Sequence, residues 1–143
     1  MTAPSVAWDN GKAIPGTLLR HLITSADTGG RFSAQSAVLR PGELLIPHIH
    51  RDEDEFTFVF RGRIGGRVGD HDLVVEEGGL LIKPRGIVHA MWNPTDVEAI
   101  TLEFISPAGF EGFFEEMGRL QEGASPDTIP EIAAQYGLTF HPN

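Results

Sequence analysis

The strongest constraint on this chain is its punctuation. Turn-forming residues cut it at roughly the 8–12-residue spacing of a many-stranded protein. They stand at Asp27-Thr28-Gly29-Gly30, Pro41-Gly42, Asp52-Glu53-Asp54, Gly62, Gly69-Asp70, Gly78-Gly79, Pro84-Arg85-Gly86, Asn93-Pro94 and Ser106-Pro107. Between them lie short apolar or alternating segments: Thr17–Ile23, Phe32–Leu39, Leu44–His50, Glu55–Arg61, Ile64–Val68, Leu73–Val75, Leu80–Ile82, Val88–Trp92 and Val97–Ile105. Segments of this length and spacing predict strands of an all-β sandwich or barrel. The 17 glycines and 10 prolines are scattered along the chain, so they read as turns and not as disorder.

The period changes after Pro107. Phe110, Phe113, Phe114, Met117 and Leu120 share one helical face, with Ser106-Pro107 as the expected start and Gly123 as the expected stop. This apolar stripe is expected to pack on the barrel or on a second subunit and not to bind a cofactor. A second short helix is expected after Thr128, with Thr128-Ile129-Pro130-Glu131 as a capping box and Gly137 as the stop. The 143 residues suit one domain. Residues 1–30 read as an arm and first strand, 31–106 as the barrel core and 107–143 as a helical tail.

The formal net charge of −9 argues against nucleic acid and disfavours an anionic membrane as partners. With no cysteine, disulfides and thiolate metal sites are excluded. Residues Met1 to Ile14 lack a basic segment followed by an apolar run, and no long apolar stretch occurs, so no signal peptide or membrane span is expected and a cytoplasmic location is the default.

Four residues carry the chemistry. His48 and His50 stand two apart on a predicted strand, on the same face by its period of two. Glu55 opens the next strand, and His89 follows the Pro84-Arg85-Gly86 turn. Three imidazoles and one carboxylate suit one divalent transition metal: Fe, Mn, Ni, Cu, Co or Zn. Binding needs neutral imidazoles, so affinity should fall once pH drops below the histidine range, about 6. Glu53 is the rival carboxylate. The predicted strand favours Glu55, and Asp52, Glu53 and Asp54 read as a solvated loop.

At this point the sequence resembles the cupin superfamily. Gly42, His48, His50, Glu55 and Gly62 stand at the spacing of its first motif. Gly78, Pro84, Gly86, His89 and Asn93 stand at the spacing of its second. The resemblance implies a double-stranded β-helix, a jelly-roll barrel, with a short C-terminal helical tail. It implies His48, His50, Glu55 and His89 as metal ligands, with Glu55 also a proton acceptor. Asn93 is expected to bond its own turn.

Alternation from Glu55 points Thr57 and Val59 inward as pocket-lining residues, and Met91 shares the inward face with His89. It turns Phe56, Phe58 and Phe60 to the outer face, where a second copy of the chain would cover them as a homodimer. Lys83 and Arg85 are expected as solvated charges near the mouth, and His71 as exposed. Small single-domain bacterial cupins of this kind are similar to quercetin dioxygenase-like proteins. That similarity implies a metal-dependent dioxygenase of an enolic or phenolic small molecule, with O₂ as co-substrate. The same ligands would serve a non-oxidative cyclase or isomerase of the polyketide cyclase type. A non-catalytic small-molecule binder is the third reading, and the intact ligand set speaks against it.

Overall fold

A computed structural model of the chain describes residues 5–120, 125 and 127–141. Two antiparallel sheets face each other. The first has the order β1-β2-β3-β10-β5-β8, built from Lys12–Ala13, Leu19–Ile23, Ser33–Leu39, Ala99–Ser106, Asp54–Arg61 and Leu80–Lys83 in that spatial order. The second has the order β11-β4-β9-β6-β7, built from Leu138–Phe140, Leu44–His50, His89–Trp92, Ile64–Val68 and His71–Val75. This is the expected double-stranded β-helix, and the predicted strands match the observed ones to within about two residues. Two strands escaped the sequence reading: β1, inside the arm, and β11, at the end of the tail. A single helical turn, α1 (Ser25–Thr28), links β2 to β3.

Alternation decides what each strand turns inward. One end of the barrel is filled by Leu39, Val59, Ile64, Val75, Leu81, Met91 and Ala99. Closure there depends on close approach. A Cβ on Gly65 would lie 2.1 Å from Nε1 of Trp92, so only glycine lets that indole rest against β6. Gly42, at φ 73°, makes the turn into β4 that its position in the motif implies. Asn93 closes the end of β9 as expected. Its amide donates to the carbonyls of Leu39 and Val97, and its oxygen accepts from Thr95.

The tail folds against the other end. Helices α2 (Glu111–Arg119) and α3 (Thr128–Gln135) pack Phe110, Phe113 and Ala133 against Ile105 and Leu138. Ser106-Pro107 does not start the helix. α2 begins at Glu111, whose carboxylate accepts from the backbone of Gly109 and of Ser25 and ties the helix to α1. The capping box at Thr128 is also absent. Thr128 is the first helical residue, and the flanking Asp127 makes no side-chain cap. Gly137, at φ 71°, follows α3 as its stop. The expected stop at Gly123 lies outside the described residues. No helix among the described residues is long and apolar enough to cross a membrane.

Candidate metal centre

The two sheets bring the four motif residues together. β4 supplies His48 and His50, and β9 supplies His89 directly opposite His48. β5, in the other sheet, supplies Glu55. One ligand atom from each lies within 4.8 Å of every other. The pairing of β4 with β9 shifts register between Leu45 and His48, an interval that holds Pro47, which has no N–H to donate to a ladder.

Hydrogen bonds fix which atoms face the centre. Nδ1 of His48 lies 2.7 Å from the carbonyl of Ile46. A carbonyl only accepts, so this nitrogen carries the proton and Nε2 keeps the lone pair. Oε2 of Glu55 lies 2.9 Å from Nε2 of His50 and 3.7 Å from Nε2 of His89. Nε2 of His89, the nitrogen turned toward Oε2 of Glu55, is buried without a hydrogen-bond partner. Buried polar atoms without partners are rare, and this one lies where donor atoms from the two sheets come within 4.8 Å of one another. That arrangement fits a bound cation, and the imidazole and carboxylate donors suit a divalent transition metal.

The electrostatics prepare the same donor set. Burial, with Lys83 nearby, lowers the His89 pKa to about 3 and keeps its ring neutral. Burial likewise lowers that of His48. His50 is the exception. Burial acts to lower its pKa, but Glu53 and Glu55 outweigh it and raise the value to about 9. Burial also opposes the charge on Glu55, yet Lys83 and His50 hold its carboxyl well below the usual carboxylate range.

Three residues stand where the sequence reading did not put them. Lys83, expected at the surface, is 3% exposed. Its ammonium donates to Oε1 of Glu55 at 2.8 Å and to Oε2 of Glu103 at 3.2 Å. Inward alternation along β8 puts Lys83 on the face of Leu81, which is why it is buried. Glu53, expected in a solvated loop, is buried, with Oε2 3.4 Å from Nδ1 of His50, on the side of the ring away from Glu55. Glu55, not Glu53, faces the other ligands. Glu103 was not singled out at all. A carboxylate on the inward phase of the apolar β10 was the available signal. Arg85, by contrast, is exposed and paired with Asp54, and His71 is exposed, both as expected.

The centre opens into a cavity of about 770 Å³. Its floor is His48, His50, His89, Glu55, Lys83 and Glu103. Its walls are apolar. Leu39 and Met91 come from the barrel, Phe110, Phe113, Phe114 and Met117 from the tail, and Leu138 and Phe140 from β11. The ring of Phe110 meets that of His50 edge-on at 4.4 Å. The tail stripe thus packs as expected and also forms a wall of the cavity. Of the expected lining residues, Met91 is in place. Thr57 and Val59 point inward but lie outside the cavity lining. Thr57 is fully buried and donates to Glu103 at 2.6 Å, and Val59 belongs to the packed end of the barrel.

Fold and site together define a double-stranded β-helix with a three-histidine, one-glutamate centre. Residues 36–105, the stretch that holds all four candidate ligands, match the Cupin domain family and form a cupin domain. It is 26% identical over 113 residues to Protein SchB of Streptomyces halstedii, covering 78% of this chain and 80% of that one. It is 35% identical over 68 residues to Germin-like protein subfamily 3 member 2 of Arabidopsis thaliana. That match covers 44% of this chain and only 30% of the germin-like protein. The crystal structure of BH2720 from Bacillus halodurans superposes with a TM-score of 0.63 at 21% identity, covering 76% of this chain and 84% of that one.

Proposed function

We propose that this protein is a metal-dependent enzyme acting on an enolic or phenolic small molecule, as a dioxygenase. The observation that carries the reading is the contrast between the floor of the cavity and its walls. Four convergent donor residues lie at the bottom of a space whose sides are aromatic and aliphatic. A volume of about 770 Å³ is ample for a multi-ring aromatic substrate. Of the basic residues that line the cavity, Lys83 is held by two carboxylates at its floor, while Arg40 lies exposed beside Glu43.

A bound divalent ion would supply Lewis acidity to an enol or phenol oxygen and a site for O₂. The chain supplies the rest. Oε2 of Glu55, the oxygen turned to the histidines, would take the hydroxyl proton on leaving the ion. Phe110, Phe113 and Phe140 keep bulk water from the reacting edge. Both atoms of O₂ enter the product of a dioxygenation, so the reaction needs no external reductant.

The test is an oxygen electrode with iron-, nickel- and manganese-loaded protein and a panel of catechols, naphthols, flavonols and cyclic 1,3-diketones. Metal-dependent O₂ uptake matched to substrate loss is the expected result. Substrate conversion that runs equally well under argon would replace this reading with the cyclase or isomerase one. Tight binding without turnover would point to the non-catalytic binder.

A cytoplasmic homodimer belongs to the same proposal. Phe56, Phe58, Leu80, Ile82, Leu102 and Phe104 lie opposite one another on the outer face of the first sheet. The tail leaves this face bare, with Ile82 67% and Phe56 40% exposed. A second copy of the chain is the occupant proposed. Light scattering should give about twice 15.6 kDa, and Phe58→Asp should return it to 15.6 kDa with the metal retained. A wild-type mass of 15.6 kDa would sink the dimer.

A further inference from the structure

A carboxylate has two equivalent oxygens and a soft final torsion, so a glutamate beside a cation can present either oxygen or both. Here the two oxygens of Glu55 are not equivalent. Oε1 accepts from Nζ of Lys83 at 2.8 Å, while Oε2 faces His50 and His89. The β5–β8 register sets Glu55 directly opposite Lys83, so the contact is built into the sheet. The ammonium is itself anchored by Glu103, whose Oε2 it meets at 3.2 Å. Glu103 is clamped on both oxygens by hydroxyls, from Thr57 at 2.6 Å and from Thr101 at 3.1 Å. A chain of fixed contacts therefore runs from β10 through β8 to the carboxylate on β5. Stability does not account for it. A buried ion pair gains little over apolar packing of the same volume, and Leu81, one inward position away, shows that such packing is available.

We propose that Lys83 is a positioning residue for the metal centre: by holding Oε1 of Glu55, it leaves Oε2 alone to face the ion. The inference rests on His48, His50, Glu55 and His89 being the ligands. Without the ammonium, Glu55 is free to turn either oxygen, or both, toward the ion. The coordination sphere changes while every ligand residue is still present.

Cobalt(II) tests this by its visible spectrum, which reports ligand number and geometry without any substrate. Chelator-stripped wild-type protein should take up one equivalent of cobalt, and His89→Ala should take up none. Lys83→Met should shift the cobalt spectrum and weaken binding at least tenfold, and Lys83→Arg should restore the wild-type spectrum. Should Lys83→Met not fold, the double variant Lys83→Met/Glu103→Gln removes one buried carboxylate with the ammonium and is read by the same criteria. A spectrum and affinity unchanged in the methionine variant would overturn the role of Lys83. Wild-type protein that takes up no cobalt, or His89→Ala that keeps it, would overturn the ligand assignment and this inference with it. The two failures are thus told apart.

Discussion

The two ends of the barrel are made from the same strands and have opposite chemistry. Along β5 the inward residues run from Val59 through Thr57 to Glu55. On β8 they run from Leu81 to Lys83, on β9 from Met91 to His89, and on β10 from Ala99 through Thr101 to Glu103. Each strand passes from apolar to ionisable within one or two inward steps. The first end is close-packed and holds the sheets together. The second carries three imidazoles, two carboxylates and an ammonium that are tolerable in the interior only because each meets a partner or a cation. Separating the two jobs lets the site carry unsatisfied donors while stability is supplied about 7 to 13 Å away along each strand, two to four residues at the usual strand rise.

If that division is real, the ends respond differently to substitution. The largest effect belongs to the ionisable end. His89→Ala should reduce metal affinity by about 100-fold or more, while its circular dichroism and cooperative unfolding stay intact. Elemental analysis after dialysis reads this directly, and full occupancy would remove His89 from the centre. The converse substitution, Leu81→Ala, should cost about 2–5 kcal/mol of unfolding free energy in a denaturant titration and leave metal stoichiometry unchanged. Metal loss from that variant under native conditions would show that the two ends are not separable.

Next in size is pH. The spacing of the histidines alone suggests that affinity weakens below about 6. The structure moves this limit up. With its pKa raised to about 9 by Glu53 and Glu55, His50 holds a proton in the ion-free protein throughout the neutral range. An entering cation displaces that proton. Apparent affinity should therefore rise by about tenfold per pH unit up to about 9, then level off. Competition with a chelator of known affinity, repeated from pH 6 to 10, would show it. A plateau already reached by pH 7 would contradict the assignment. The smallest effect is that of Glu53→Gln, which weakens the hold on Nδ1 of His50. It should lower the plateau affinity by about tenfold and move the plateau to lower pH in the same assay.

Much of this was legible in the residues. Turn chemistry fixed where strands end, strand period put His48 and His50 on one face, and the resemblance of the two motifs to cupins implied that Glu55 and His89 meet them. What escaped was anything decided by partners in other strands. Lys83 reads as a surface charge because lysine alone is too costly to bury. Only the sheet register reveals Glu55 and Glu103 waiting for it. Glu53 belongs to an acidic run whose neighbours Asp52 and Asp54 are indeed exposed, and no local pattern marks it as the one that turns in. Thr57 and Val59 follow the alternation faithfully, but alternation says only which face a residue occupies. It does not say where along the barrel the packing gives way to open space. The helix start at Glu111 was missed because its carboxylate bonds the backbone of Ser25, far away in sequence.

The pairing of β11 with β4 sets Leu138 against His50 and Phe140 against His48. During synthesis, β4 is therefore made long before the strand that covers its free edge. Until residues 138–140 have emerged, the nascent protein presents an unpaired strand edge that bears two imidazoles, the kind of edge that recruits other chains. A metal ion captured early, by drawing β4, β5 and β9 together, would order this half of the barrel while that edge is still open. Yield and aggregation during expression should accordingly depend on metal supply in the medium.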